Sequence, residues 1–524
     1  MASGPRPASE IQPEQASMAV GRALRRGLVT ERELAAEAQR RREQHLLAAI
    51  IGPRGQVRER FCATSAFDRG APPVGWLSSF AVSDKRHRQQ PRRQRRRASG
   101  GSPSTAQRGS GASSATALRG SAVDRELAKL MKDMAEITVT EAREPRDVLE
   151  AEQWASCIVG TWHVTPLLEG DVEELFFPAY VSALEELGSA GALATLRAMS
   201  GVGAAIHARR ARAAADRLAA GGLGEPPWAE GIGRSRPVGA LLMYEEAFED
   251  GVSVIVEFAA PGAQPHTLGI YIDHNMGGLV KDVFLAGPLS EVRRKLGRRA
   301  PNGVGLALRE LDLAEARARV EDALEILDHT YDPPVDGDVR TLRALIEARM
   351  RLLPAGAVLA DEVHEFEPAE RERLLADFLD SPEGRRWRGD EDAEDAVATA
   401  IDFGCDYNHG GPLRWSPVVV EIFMTSWLTR KVVRDPEFFR CVPDVLPDWV
   451  AYAGRRREVP AAPLREAVDA VKRYRKEMLA AASDPDSWGP AKAFAVAAQA
   501  AGVDLSDPDA VGEFVERYND GLAA

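Results

Sequence analysis

The sequence predicts an α+β fold, predominantly helical, with a small antiparallel β-meander packed among helices. Three observations lead there. Apolar residues recur at three- and four-residue spacing through much of 123–235, and again from about 301 to the end. That spacing turns one stripe of a helix towards a core. Between these regions, 238–286 holds four runs rich in β-branched residues, broken at Asp250-Gly251, Pro261-Gly262 and Gly277-Gly278. Glycine paired with Asp, Pro or Gly between such runs is hairpin punctuation. Finally, no apolar run approaches the ~18 residues that a membrane span needs, so no membrane partner is expected.

Residues 1–122 read as a separate N-terminal extension. They hold 22 basic and 9 acidic side chains, against 45 and 70 in 123–524. Any contact with a polyanion must therefore come from this arm, because the acidic body repels one. The block DKRHRQQPRRQRRR (84–97) and the Gly/Ser/Ala tract 98–121 bury too little apolar surface to offset the entropy of ordering, and disorder is expected. A short helix within 16–48 would have no evident packing partner. Arg92, Arg93, Arg95, Arg96 and Arg97 are the candidate nucleic-acid contacts. With no aromatic residue in 85–97 to stack on bases, they would bind by charge alone. The plainer alternative is an extension ahead of a body whose composition begins near Met131 and Met134.

The body divides, on its sequence, into a helical unit (123–235), an antiparallel meander with a following helix (236–300) and a helical C-terminal region (301–524). DVEELFFPAYVSALEEL (171–187) is the first strongly periodic helix. The next stretch, ALATLRAMSGVGAAIHARRARAAADRLAAGG, ends at Gly221-Gly222, a C-cap signal. GEPPWAEGIGRSRP (224–237) closes the unit as a loop. In the meander, Val252, Val254, Val256 and Phe258 alternate with Ser253, Ile255 and Glu257. Both faces carry apolar residues, so helices should cover much of the sheet. Further on, Asp312 and Glu315 have capping-box spacing, and Ser416-Pro417 opens a dense apolar helix that ends near Arg430, Lys431 and Asp435-Pro436.

Common catalytic signatures do not occur. There is no G-x-x-x-x-G-K-S/T loop, no G-x-S-x-G elbow and no H-E-x-x-H pair. SGVGAAI (200–206) follows a helix rather than a strand and lacks the last glycine of a dinucleotide loop. DFG (402–404) stands without any other kinase element. DPPVDGD (332–338) places Pro334 and Arg343 where a calcium loop needs oxygen ligands. None of this calls for a cofactor. Four scattered cysteines, Cys62, Cys157, Cys405 and Cys441, read as reduced thiols of a cytoplasmic protein rather than as a disulfide framework.

Two constellations remain. In IYIDHNMGGLVKDVFL (270–285), a turn at Met276-Gly277 would pair Tyr271 with Asp282 and Asp273 with Val280. Asp273 and Asp282 would then be diagonal neighbours roughly 7–8 Å apart. With His274 they could act as an acid/base pair or part of a metal site. Alternatively, Asp-His-Asn is turn chemistry, the glycines supply positive φ, and Lys281 neutralises the acids. The second constellation is DFGCDYNHGGPLRWSP (402–417). Cys405 and His409 have the spacing of half a zinc site, with Cys157 and His163 as a conceivable other half. The competing reading is a structural loop in which Trp415 packs on the core and Asp406 or Asn408 ties down the backbone. Trp154 and Trp162 read as core anchors.

From about 130 to 524 the phrasing resembles a family of uncharacterised proteins from high-GC actinobacteria. The matching phrases include EAEQWASCIVGTW, ADRLAAGGLGEPPWAEGIGRSRPVGA, DHNMGGLVKDVFL and CDYNHGGPLRWSPVVVEIFMTSWLTRKV. The resemblance carries over no activity and no functional residue. On the residues alone, a binding, interaction or regulatory protein is expected, with a protein partner the natural kind. The alternatives are a metal- or carboxylate-dependent hydrolase at the 271–282 hairpin and nucleic-acid contact through 85–97.

Overall fold

The computed structural model describes residues 127–140, 145–164, 172–296, 306–330, 333–335, 337–357, 359, 364–504 and 507–523. The arm and its arginines lie outside them, as does Cys62. The described residues form two compact units, one ending at His364 and the other beginning at Glu365. The helices after 300 that precede His364 pack on the sheet.

In the first unit, α1 (127–140) leads to α2 (Val148–Gly160), α3 (Val172–Leu187), α4 (Ala190–Met199) and α5 (Ala205–Ala220). Asp147 caps α2 by accepting the Glu150 N–H at 3.0 Å. The glycine pair 221–222 ends α5, with Gly222 at φ +98°. The sheet follows: β1 (Arg236–Glu245), β2 (Gly251–Ala259), β3 (His266–Asp273) and β4 (Leu279–Ala286). After the short α6 (Leu289–Leu296) comes β5 (Leu306–Leu311), then α7 (Leu313–Asp328) and α8 (Gly337–Met350). The strand order is β4-β3-β2-β1-β5, antiparallel throughout. The meander is therefore there, widened by a fifth strand from the stretch expected to be helical.

Each face of the sheet has its own apolar layer. Val254, Val256, Leu268, Ile270 and Val283 join the main core with residues of α2, α7 and α8. Leu241, Met243, Ile255 and Phe284 meet Leu289 and Val292 of α6 on the other face. Two covered faces explain why the strands read as nearly continuous apolar runs. Across the main core, α2 and α8 are pinned by Ser156, whose Oγ donates to Thr341 O (2.9 Å) and accepts the Leu345 N–H (3.1 Å).

The second unit is helical: α9 (Pro368–Asp380), α10 (Glu391–Asp406), α11 (417–431), α12 (Pro436–Arg456), α13 (Ala461–Ser483), α14 (Pro490–Ala500) and α15 (Pro508–Ala523). Ser416 caps α11 at the Val419 N–H, 3.1 Å. A π-helical segment, Ile422–Trp427, interrupts α11. Its Phe423 and Trp427 rings pack with Phe403 at 5.1 and 5.2 Å, so the wider turn serves an aromatic core. Among the described residues, no helix is long and apolar enough to cross a membrane.

Candidate functional site

The hairpin at 271–282 carries the carboxylates that could do acid/base or metal chemistry. Tyr271 pairs with Asp282 as expected, but Asp273 faces Leu279 rather than Val280. The cause is a bulge: β4 carries one extra residue, Lys281, between the Ile272–Val280 and Tyr271–Asp282 pairs. The lysine's Nζ reaches Asp273 Oδ2 at 2.6 Å, while Asp273 Oδ1 accepts the Asn275 N–H at 2.8 Å. Asp273 is 4% exposed. Both its oxygens are spent, one on charge neutralisation and one on the turn. His274 is tied by Nδ1 to Glu249 O (2.8 Å), Asp282 Oδ1 accepts the Val283 N–H (2.7 Å), and Gly277 takes φ +84° to close the bend. These contacts are those of a turn. Lys281→Met, which strands a buried carboxylate, should cost about 2 kcal/mol. Adding Asp273→Asn should recover most of it in a urea melt.

The 402–417 loop is knit together by its own side chains. The Asn408 side chain donates to Gly411 O (3.0 Å) and Arg414 O (2.6 Å), and accepts from Arg414 NH2 (2.7 Å). Arg414 is buried and binds His409 O through Nε, and Trp415 donates to Pro412 O. Asp406 pairs with Arg371, which also holds Asp402. Burial pushes the Cys405 thiol up to about 12. Cys157 lies in the other unit, its thiol likewise raised to about 12 by burial. Among the described residues, no three His, Cys, Asp or Glu side chains are grouped as metal ligands. The arginines 92–97 lie outside the described residues.

What the structure brings together is elsewhere, in the loop that joins α5 to β1. Residues 225–234 wrap a cleft of about 450 Å³ against Arg197 and Ser200 at the end of α4 and Arg212 of α5. Two of its three arginines are committed. Arg197 holds Glu225 through Nε (2.9 Å) and Asp216 through NH1 (2.6 Å), bonds that raise its already high pKa, Glu225 contributing most. Arg234 pairs with Glu230 at 2.9 Å. Arg212 has no hydrogen bond or ion pair among the described residues and is exposed.

The cleft wall rests on a buried polar layer. At Gly231 a Cβ would fall 2.2 Å from Val148 Cγ2, so only glycine lets the loop close on the start of α2. Behind Ile232 and Gly233 stands Glu152 of α2, fully buried, with Oε2 on Arg349 NH2 of α8 at 2.5 Å. The Gly233 N–H points at Glu152 Oε1, 3.4 Å away. The Arg349 guanidinium lies 5.3 Å above the Phe258 ring, and His266 stacks on that ring at 6.1 Å. His266 is 4% exposed, and neither of its ring nitrogens makes a hydrogen bond of ordinary geometry. Burial, and then the Arg349 charge, depress its pKa to about 4, against weaker opposing pulls from the Gln264 backbone and Asp147. Arg349 Nε and Ser235 Oγ are also buried without partners. Glu152 and Arg349 belong to no motif that sequence reasoning singles out. Their signal is present all the same: each is a charge on the apolar stripe of its helix, beside Ser156 and Val159 in one and Leu345 and Ile346 in the other.

Fold and site together define an α+β protein whose sheet unit carries an arginine-lined cleft over a buried ion pair. No family model matches the chain, and no curated protein or solved structure matches it either.

Proposed function

We propose that this is a binding protein of the cytoplasm whose ligand site is the cleft under 225–234, not a hydrolase working at the hairpin. The observation that carries the reading is the cleft itself: a concavity of about 450 Å³ whose wall is held by a buried charge pair. Such a pair is a poor stabiliser compared with apolar residues of similar volume, and its best-attested use is to specify one arrangement. In this loop the pair stands behind Gly233, whose N–H lies 3.4 Å from Glu152 Oε1. The hydrolase reading is disfavoured because Asp273 is consumed by Lys281 and the Asn275 amide. The free thiols Cys157, Cys405 and Cys441 suit a reducing compartment.

The test is a thermal-shift screen of common metabolites against the full chain and against Ala229→Trp, which fills the cleft. At least one compound should raise Tm by native-state binding, and the variant should weaken that effect by about tenfold or more. A compound that stabilises both proteins equally, or hydrolytic turnover abolished by Asp282→Asn, would refute the assignment.

A further inference from the structure

We infer that the cleft takes a small oxyanion, a carboxylate- or phosphate-bearing metabolite, gripped by the fork of Arg212. This rests on the cleft being the ligand site. The lining holds three guanidinium groups and two carboxylates, Glu225 and Glu230. Glu225 already serves Arg197, as does Asp216 outside the lining, and Glu230 serves Arg234. That leaves one guanidinium with its donors unspent at the edge of a concavity, where the planar fork of arginine matches carboxylate and phosphate oxygens. The loop fixes the distance: Arg212 NH2 lies 3.4 Å from where a Cβ on Gly233 would stand, and Gly233 itself holds φ +69°. A larger residue at 233 would crowd the fork. Pro226, Pro227, Ala229 and Ile232 give the lining an apolar flank for the carbon skeleton of such a metabolite.

Calorimetric titration with sodium succinate and with inorganic phosphate, at constant ionic strength set by sodium chloride, separates the two oxyanions. At least one should bind the full chain. Arg212→Gln should weaken that binding by about tenfold or more, and Arg212→Lys by less, since lysine keeps the charge but not the fork. Ala229→Trp should abolish it. If neither anion binds beyond the chloride control, or if binding survives Arg212→Gln, the inference fails. A neutral screening compound that Ala229→Trp displaces but Arg212→Gln does not would fail the inference while keeping the cleft as the site. Anion binding untouched by Ala229→Trp would overturn both.

Discussion

Arg349→Ala is expected to cost the sheet unit about 3–5 kcal/mol, more than the hairpin substitution Lys281→Met, because it leaves Glu152 charged in the core. The carboxylate is fully buried, and its remaining contact, the Gly233 N–H at 3.4 Å, is too long to offset the loss. The arginine also supplies packing: its guanidinium covers Phe258 at 5.3 Å, and truncation opens a cavity there. The control is the double replacement Glu152→Leu with Arg349→Met. It removes both charges while keeping volume, and should recover most of the stability. If the double variant is stable yet binds ligand more weakly than the wild type, the pair positions the loop rather than holding the fold together. Urea denaturation followed by tryptophan fluorescence, with Trp154, Trp162 and Trp228 in this unit, reads the stability arm. A loss below about 1 kcal/mol for Arg349→Ala would mean that the pair is not buried as described.

The second large effect is a loss of stability in acid that belongs to one residue. His266 is neutral in the folded state, with its pKa depressed to about 4 from 6.5. The unfolded chain therefore binds the proton more readily, and stability is complete above pH 6.5 and falls as pH drops towards 4. At about 1.4 kcal/mol per unit, the full contribution is about 3 kcal/mol. His266→Phe keeps a ring against Phe258 and removes the titration. Between pH 6.5 and 4 the variant should lose about 3 kcal/mol less than the wild type in paired urea melts. Parallel curves over that window would show that the imidazole charges freely in the folded protein.

How much of this was readable in the sequence depended on range. Caps and turns are local, and Asp312, Ser416 and the glycine pair 221–222 were legible because each acts within a few residues of itself. Strands β1 to β4 were legible because β-branched runs broken at Asp250-Gly251, Pro261-Gly262 and Gly277-Gly278 mark them. Strand β5 was not: it has only the six residues Leu306–Leu311 and pairs with β1, some 65 positions earlier. At the hairpin, the Tyr271–Asp282 pair was right, but a bulge adds a residue without changing composition. Only the paired strands showed that Lys281 was the extra one. The site suffered most. Glu152 and Arg349 stand 197 residues apart, and no spacing rule connects them. Nor does the loop 225–234 announce a cleft, although its Pro226-Pro227, Gly231 and Gly233 mark a backbone held to one path.

The second unit bears on function differently. One buried cation there is drawn into structure: Lys492 donates to Thr429 O at 2.9 Å and lies over the rings of Phe439 and Trp488, its pKa lowered to about 8 by burial. An ammonium placed at the end of a helix among aromatic faces satisfies the last carbonyls and gains from both contacts. The 402–417 loop is likewise closed upon itself through Asn408 and Arg414. In the sheet unit, Arg212 alone among the cleft's three arginines has no hydrogen bond or ion pair among the described residues.

The most direct test is crystallographic. Crystals of the full chain soaked in tungstate, an oxyanion with a strong anomalous signal, should show a peak within hydrogen-bond reach of Arg212 beside Gly233. A peak at Asp273 and Asp282 instead, or an empty cleft at saturating tungstate, would contradict the assignment of the ligand site.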